Sequence, residues 1–131
     1  MTGLDTNVLV RYVMQDHPRQ SSRATSLIES LKPDELGFVP VVVLVELVWV
    51  LSGSYGLDRA QVATVLSTLL RSKELVIDRA EMVTQALKRY SANGADFADA
   101  LIERLSAAAG CSATMTCDAS AVKVAGMTLV R

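Results

Sequence analysis

Short apolar runs alternate along the chain with longer segments in which apolar residues recur at helical spacing. Short runs that end at a polar residue are typical of buried parallel strands, and they predict a strand ending at Asp5 and strands at 36–39, 75–77, 112–116 and 127–130. Apolar residues three and four positions apart predict helices at 8–14, 21–31, 41–51, 59–72, 80–91, 97–109 and 119–124. This alternation predicts an α/β fold, with one domain over residues 1–131 and a parallel sheet covered by helices.

Polar residues just before several of these segments indicate where the helices begin. Asp58 and Asp96 occupy N-cap positions, and Ser21 or Ser22 could cap the second helix. Asp78 follows a strand and precedes a mixed polar segment, which favours an N-cap there too. The other routine acids lie among turn residues or polar helix faces, where acids are usually solvated: Asp16, Asp34, Glu35, Glu74 and Glu81.

Composition and charge narrow the class of protein without pointing to a substrate. The chain has 131 residues, with 13 basic and 14 acidic side chains and a net charge of −1. Proteins that bind nucleic acid normally have an excess or a patch of basic residues. The net charge therefore gives no support for nucleic-acid binding, and only the arrangement of individual residues could indicate it. Half of the residues are apolar and the mean hydropathy is +0.31, which predicts a surface shared with a second subunit or a partner.

The sequence also predicts the compartment. The longest apolar run, at 38–51, is interrupted by Pro40 and Glu46 and is too short to span a bilayer. The N-terminus has neither a basic region nor an apolar signal core, so we expect a cytoplasmic protein with no membrane partner. Cys111 and Cys117 cannot form a disulfide framework, and we expect both to be buried or half-buried thiols.

Two acids come directly after predicted strands. Asp5 follows the first apolar run and Asp118 follows the run at 112–116. In an open parallel sheet, side chains at the carboxyl ends of strands face the crevice where ligands bind. We therefore expect both carboxylates at one crevice, and Asp118 can cap the following helix at the same time.

Glu46 stands in an unusual setting, because apolar residues surround it on both sides at 41–45 and 47–51. An unpaired carboxylate in such surroundings would cost several kcal/mol or would take up a proton. We therefore expect a cation to compensate it, either a basic side chain or a metal ion. The alternative is that Glu46 belongs to a polar stripe that faces water.

A third group of acids follows Asn93-Gly94. Asp96 stands where the chain restarts as a helix, which favours a structural cap. The alternative is that Asp96 supports the site. Asp99 lies one turn into that helix between small residues, so we interpret Asp99 as the acid that takes part in the chemistry. Glu103 lies one turn further, beside Arg104, and we expect it at the surface.

Four acids from separate segments thus point to one crevice: Asp5, Glu46, Asp99 and Asp118. Like charges at that density repel one another unless a cation is bound. Ligands made only of oxygen favour Mg²⁺ or Mn²⁺ over zinc or copper. Because Mg²⁺ commonly completes its coordination with substrate phosphate oxygens, the set points to phosphodiester chemistry.

Four motifs carry a resemblance that covers nearly the whole chain. The segments 4–10, 45–47, 95–102 and 114–118 are similar, in order and spacing, to the motifs of PIN-domain ribonucleases, and above all to the VapC-type toxins of bacterial toxin–antitoxin pairs. Each motif alone is weak, but the four together are specific. The resemblance implies a three-layer sandwich with a central, mostly parallel sheet of four or five strands.

The resemblance also implies an activity. It implies an endoribonuclease dependent on Mg²⁺ or Mn²⁺, in which Asp5, Glu46, Asp99 and Asp118 match the acidic ligands of the family. Thr6 and Thr116 match the hydroxyl residues beside the first and last acids. It further implies a homodimer, a structured RNA substrate such as tRNA, and an inhibitory antitoxin protein.

The sequence departs from the family pattern near the last acid. Cys117 stands where the family has a phenylalanine-like residue, and 119–121 lack the usual basic residue. Arg11, on the first helix near Asp5, is therefore our candidate for a contact to substrate phosphate.

Other readings of the acidic set remain open. A PIN-like module could bind a partner without cutting, and a nuclease of this fold could act on DNA. A phosphate-receiver domain also gathers acids around Mg²⁺, but it needs an acid pair after the first strand, which this chain lacks.

Overall fold

Parallel strands form both sheets of the computed structural model, which describes residues 1–131. One sheet has the order β1 (Thr2–Gly3), β2 (Gly37–Val39), β3 (Leu75–Ile77). The other pairs β4 (Met115–Thr116) with β5 (Thr128–Leu129). All of these pairings are parallel, so the predicted α/β class with parallel strands is confirmed. The number of strands agrees with the prediction, and hydrogen bonds group them as three and two.

The chain divides into two compact units, Met1–Asp78 and Arg79–Arg131. The sheet β1–β2–β3 belongs to the first unit and the pair β4–β5 to the second. The organisation of residues 1–131 as one domain stays a prediction. No helix is long and apolar enough to cross a membrane.

The first unit contains four α-helices: α1 (Thr6–Met14), α2 (Pro18–Glu29), α3 (Val41–Trp49) and α4 (Arg59–Arg71). The core is made by side chains that the apolar pattern places on one face of each helix, including Leu9, Leu47 and Leu66. Gly37 lies at a close approach, because a Cβ there would meet the side chains of Leu4 and Leu31 at 2.9 Å. A larger residue at this position would force the ends of these leucine side chains to shift.

The start of α2 differs from the prediction. The helix begins at Pro18, and the His17 imidazole accepts a 3.2 Å hydrogen bond from the Gln20 N–H as its N-cap. Proline suits the first helical position because its ring fixes φ and no N–H is lost. Ser21 lies inside the helix and is buried, so the prediction of a cap at Ser21 or Ser22 is wrong.

Helix α3 does not stop where its apolar pattern ends. A π-helical turn, Val50–Ser54, continues it for five more residues. The next helix, α4, begins at the predicted cap, where Asp58 and Gln61 form a capping box.

The second unit contains α5 (Ala80–Asn93), α6 (Phe97–Ala108) and α7 (Ala119–Ala125). Gly94 ends α5 in the left-handed conformation, with φ 73°, as the Asn93-Gly94 pair predicts. The N-cap residue of α5 is Arg79, which makes no side-chain capping bond. The prediction that Asp78 caps this helix is therefore wrong.

Glu103 is buried, with 6% of its surface exposed, so its predicted place at the surface is wrong. Arg89 of α5 donates to Glu103 Oε1 at 2.5 Å, and Arg104 donates to both carboxylate oxygens. Arg89 also donates to the Ala125 carbonyl at 2.8 Å. Burial favours the protonated acid, but the hydrogen bonds from the two arginines prevail and lower the pKa of Glu103. The carboxylate thereby links α5, α6 and α7.

Both cysteines are exposed, so the expectation of buried or half-buried thiols is wrong. Cys111 lies just after the end of α6, and Cys117 lies between β4 and α7. Both residues lie outside the helices and strands.

Candidate active site

Asp5 lies where the first strand turns into the first helix. The Leu4 N–H donates to the Phe38 carbonyl at 2.9 Å and so extends the pairing of β1 with β2. Asp5 itself is the N-cap of α1, and its Oδ1 accepts a 2.7 Å hydrogen bond from the Thr6 N–H. Oδ2 makes no hydrogen bond, and the side chain is exposed. One carboxylate oxygen is thus fixed by the backbone while the other is open to a ligand.

Thr6 connects Asp5 to Glu46. Its side chain is buried, with 8% exposed, and its Oγ1 donates to Glu46 Oε1 at 2.8 Å. Glu46 comes from the middle of α3, so this bond joins two helices at the end of β1. The first unit therefore brings two of the predicted acids to one place.

Glu46 is exposed rather than buried, so the expectation of an apolar setting is wrong. Helix α3 buries one side, which includes Val43 and Leu47, while Val42 and Trp49 are 62% and 61% exposed. The residues next to Glu46 in the sequence are apolar, but the rest of the protein covers only one side of α3. Glu46 lies on the uncovered part, as the alternative interpretation held, and still accepts from Thr6.

A cleft of about 590 Å³ opens beside these acids. Asp5, Thr6 and Glu46 line it together with other residues of α1, residues of the π-helical turn, and Tyr55. Arg11 is the only cationic residue of this lining. The polar residues that line the cleft are Asp5, Thr6, Asn7, Arg11, Glu46, Ser54 and Tyr55.

Arg11, the candidate for a phosphate contact, is one of the residues that line this cleft. Its Nε donates to Gln20 Oε1 at 2.8 Å, and its Nη1 donates to the Tyr55 hydroxyl at 3.1 Å. It forms an ion pair with Asp16 at 3.4 Å and none with Asp5 or Glu46. A guanidinium is therefore held at the cleft without neutralising the two acids.

Tyr55 and Asp16 are site residues that the sequence analysis missed. The Tyr55 hydroxyl donates to Asp16 Oδ2 at 2.6 Å, and this bond raises the pKa of Tyr55 and lowers the pKa of Asp16. Asp16 was assigned to the solvated surface, and it is indeed exposed. Only the π-helical turn brings Tyr55 beside it, and no local sequence signal marks that turn.

The other predicted acids belong to the second unit. Asp96 caps α6, and its Oδ2 accepts from the Asp99 N–H at 3.1 Å. Burial raises the pKa of Asp99, and the negative charges of Asp96 and Asp118 raise it further. The three carboxylates are thus close enough to repel one another, which is the situation that a bound cation relieves.

Asp118 follows β4 and caps α7. Its Oδ1 accepts from the Ser120 N–H at 2.8 Å and from the Ser120 hydroxyl at 3.0 Å. These bonds, the backbone one first, lower the pKa of Asp118. The Thr116 Oγ1 accepts from the Asp118 N–H at 3.1 Å, so this hydroxyl fixes the backbone of the acid rather than its carboxylate.

A metal ion was expected at the acids. Within neither unit do three or more His, Cys, Asp or Glu side chains lie close enough together to hold a metal ion. The donor chemistry nevertheless suits a hard divalent ion, because every candidate ligand is a carboxylate. The open oxygens of Asp5 and Glu46 and the raised pKa of Asp99 fit such a cation as well.

These features define an α/β protein of parallel strands with acids at the ends of β1 and β4. The profile of the PIN domain family matches residues 4–127, and the chain belongs to the PIN domain family. It is similar to a VapC ribonuclease of Aquifex aeolicus (strain VF5), with 28% identity over 101 residues that cover 77% of this chain and 75% of the relative. No solved structure matches the chain significantly.

Proposed function

We propose that the protein is a metal-dependent endoribonuclease that hydrolyses RNA phosphodiester bonds. One observation carries the proposal: Thr6 couples Asp5 to Glu46 in a cleft at the end of β1. Membership of the PIN domain family and similarity to a VapC ribonuclease support it. The similarity also supports a role as the toxin of a toxin–antitoxin pair that inhibits translation.

Four acids carry the reaction in this proposal. Asp5, Glu46, Asp99 and Asp118 would hold Mg²⁺ or Mn²⁺. When bound, such an ion lowers the pKa of a water molecule and neutralises charge that develops on the phosphate.

The chain's own side chains prepare that site. Thr6 holds the Glu46 carboxylate beside Asp5, and the Asp5 cap fixes the direction of its open oxygen. Asp96 and Thr116 support the backbone at Asp99 and Asp118. Arg11 would bind a phosphate of the RNA, because a guanidinium matches phosphate geometry.

The proposal includes partners and a place in the cell. An RNA of defined structure, such as tRNA, is the substrate, and a cognate antitoxin protein is the inhibitor. The apolar side chains exposed on α3, Val42 and Trp49, suit an interface in a homodimer. We place the protein in the cytoplasm, where tRNA and the translation apparatus are found.

The test is cleavage of single-stranded RNA, tRNA and DNA by the purified protein with and without Mn²⁺. We expect internal cuts in RNA that require the metal and disappear in Asp5→Asn. Asp58→Asn is the matched control, because Asp58 caps α4, is not among the residues that line the cleft, and asparagine still caps. Cleavage of DNA alone would indicate a DNA nuclease, and RNA binding without cleavage would indicate a binding module.

A further inference from the structure

The π-helical turn after α3 presents Tyr55 to the cleft. In this turn the Tyr55 N–H donates to the Val50 carbonyl, five residues earlier, at 3.2 Å. Such a turn holds one more residue than an α-helical turn, so it changes the direction of the side chains that follow, and π-helical turns are frequent at functional sites. Here the residue that follows the turn meets Arg11 and Asp16.

Three elements converge on the Arg11 guanidinium. Tyr55 directly follows the π-helical turn, Gln20 lies in α2, and Asp16 lies in the loop after α1. The Tyr55 hydroxyl accepts a hydrogen bond from Arg11 Nη1 and donates one to Asp16. It therefore connects the guanidinium to the carboxylate as both acceptor and donor. Gln20 holds the Nε side of the same group. The orientation of the guanidinium is thereby fixed before any ligand arrives.

The fixed orientation matters because acids and a cation share one cleft. The carboxylates of Asp5 and Glu46 attract cations and repel anions. A guanidinium without other partners would therefore pair with these acids and would no longer be available to a phosphate. The bonds to Tyr55 and Asp16 keep Arg11 paired away from both acids. An arginine held in this way also loses less conformational entropy when it binds an anion.

We propose that Tyr55 is a positioning residue for substrate binding, which with Asp16 and Gln20 holds Arg11 ready to bind an RNA phosphate. The inference rests on the proposed function and adds residues and a role to it. Tyr55 acts through Arg11 and makes no hydrogen bond to Asp5 or Glu46.

Tyr55→Phe tests the proposal, because it removes only the hydroxyl. We expect KM for RNA to rise about fivefold, the effect of losing one hydrogen bond of ordinary strength, with kcat unchanged within about twofold. Tyr12→Phe is the matched control, since it removes a hydroxyl from α1 that takes no part in these bonds, and it should leave both constants unchanged. RNA affinity, measured by fluorescence anisotropy without added metal, should fall by the same factor as KM rises.

A double variant separates positioning from an independent role. Arg11→Ala should raise KM by about tenfold, and Tyr55→Phe should add nothing in the Arg11→Ala background. Additive effects would overturn the proposal, and so would an unchanged KM in Tyr55→Phe. If thermal melting shows that Tyr55→Phe is unfolded, Gln20→Ala, on the exposed side of α2, takes its place with the same expectation.

The two proposals fail differently. A wild-type protein that neither binds nor cleaves RNA would overturn both the function and this inference. A wild-type protein that cleaves RNA, beside a Tyr55→Phe variant with the same KM, would overturn the inference alone.

Discussion

The Thr6 hydroxyl donates a 2.8 Å hydrogen bond to the Glu46 carboxylate, forty positions away in the sequence. This bond fixes an exposed acid of α3 beside the acid that caps α1. Because Thr6 is buried, its hydroxyl has a single strong acceptor and one preferred direction. The position of Glu46 relative to Asp5 therefore depends on Thr6, a side chain that is not itself a proposed metal ligand.

Thr6→Val should separate fold from function. Valine keeps the shape of threonine but removes the donor to Glu46, and we expect about 1 kcal/mol less stability with at least a tenfold loss in the rate of RNA cleavage. Denaturant unfolding and initial cleavage rates would measure the two effects. Thr64→Val is the control, since Thr64 is exposed on α4 and its hydroxyl contacts only a carbonyl of its own helix. A cleavage rate equal to that of the wild type would remove Thr6 from the site.

Asp5→Asn should weaken metal binding as well as cleavage. Asparagine can still cap α1, so the fold should persist, but one negative ligand is lost. We expect Mn²⁺ affinity, measured by calorimetry, to fall at least tenfold. Mn²⁺ binding at wild-type strength would show that the ion is held elsewhere.

Asp96 and Asp99 should differ sharply although they are only three residues apart. Asp96→Asn retains the cap of α6 and should keep most of the cleavage activity. Asp99→Asn removes the acid whose pKa is raised by burial and by its acidic neighbours, and it should abolish cleavage while the melting temperature stays near that of the wild type. Equal losses in the two variants would place Asp96 among the metal ligands.

Glu103 should make stability depend on pH on the acid side. Its pKa is lowered in the folded protein, so its contribution is complete above the pKa of an unfolded glutamate, about 4.3, and is lost as the pH falls through the folded value. Glu103→Gln should therefore be less stable than the wild type at pH 7, and the difference should shrink towards pH 3. Unfolding by urea at several pH values would measure it.

The control for that series is Glu29→Gln, because Glu29 is exposed at the end of α2. It should shift stability little at any pH. A difference between Glu103→Gln and the wild type that stays constant from pH 7 to pH 3 would contradict a link through the ionised carboxylate.

Local signals predicted much of the fold. Caps and apolar spacing place α4 and α6 within a residue or two, since Asp58 and Asp96 are caps in the structure. The start of α2 was missed because His17 competes as a cap once proline fixes the first turn. The burial of Glu46 was predicted wrongly because its apolar neighbours in sequence do not determine which side of α3 is covered.

Long-range contacts explain the rest. Glu103 looked like a surface acid because its partner Arg89 lies on another helix, fourteen positions away. Tyr55 carried no motif, and its place beside Arg11 depends on the π-helical turn. Strand ends marked Asp5 and Asp118 as candidate acids, and the family resemblance marked Thr6 and Thr116 beside them, whereas the bonds that hold Arg11 could not be predicted.

The Glu103 carboxylate has consequences for how this protein can change over generations. Two arginines share one buried anion, and one of them also holds the last carbonyl of α7. Loss of either arginine alone leaves the acid undercompensated, and loss of the acid alone leaves two cations facing each other. Homologous sequences should therefore keep all three residues or substitute them together, so positions 89, 103 and 104 should covary.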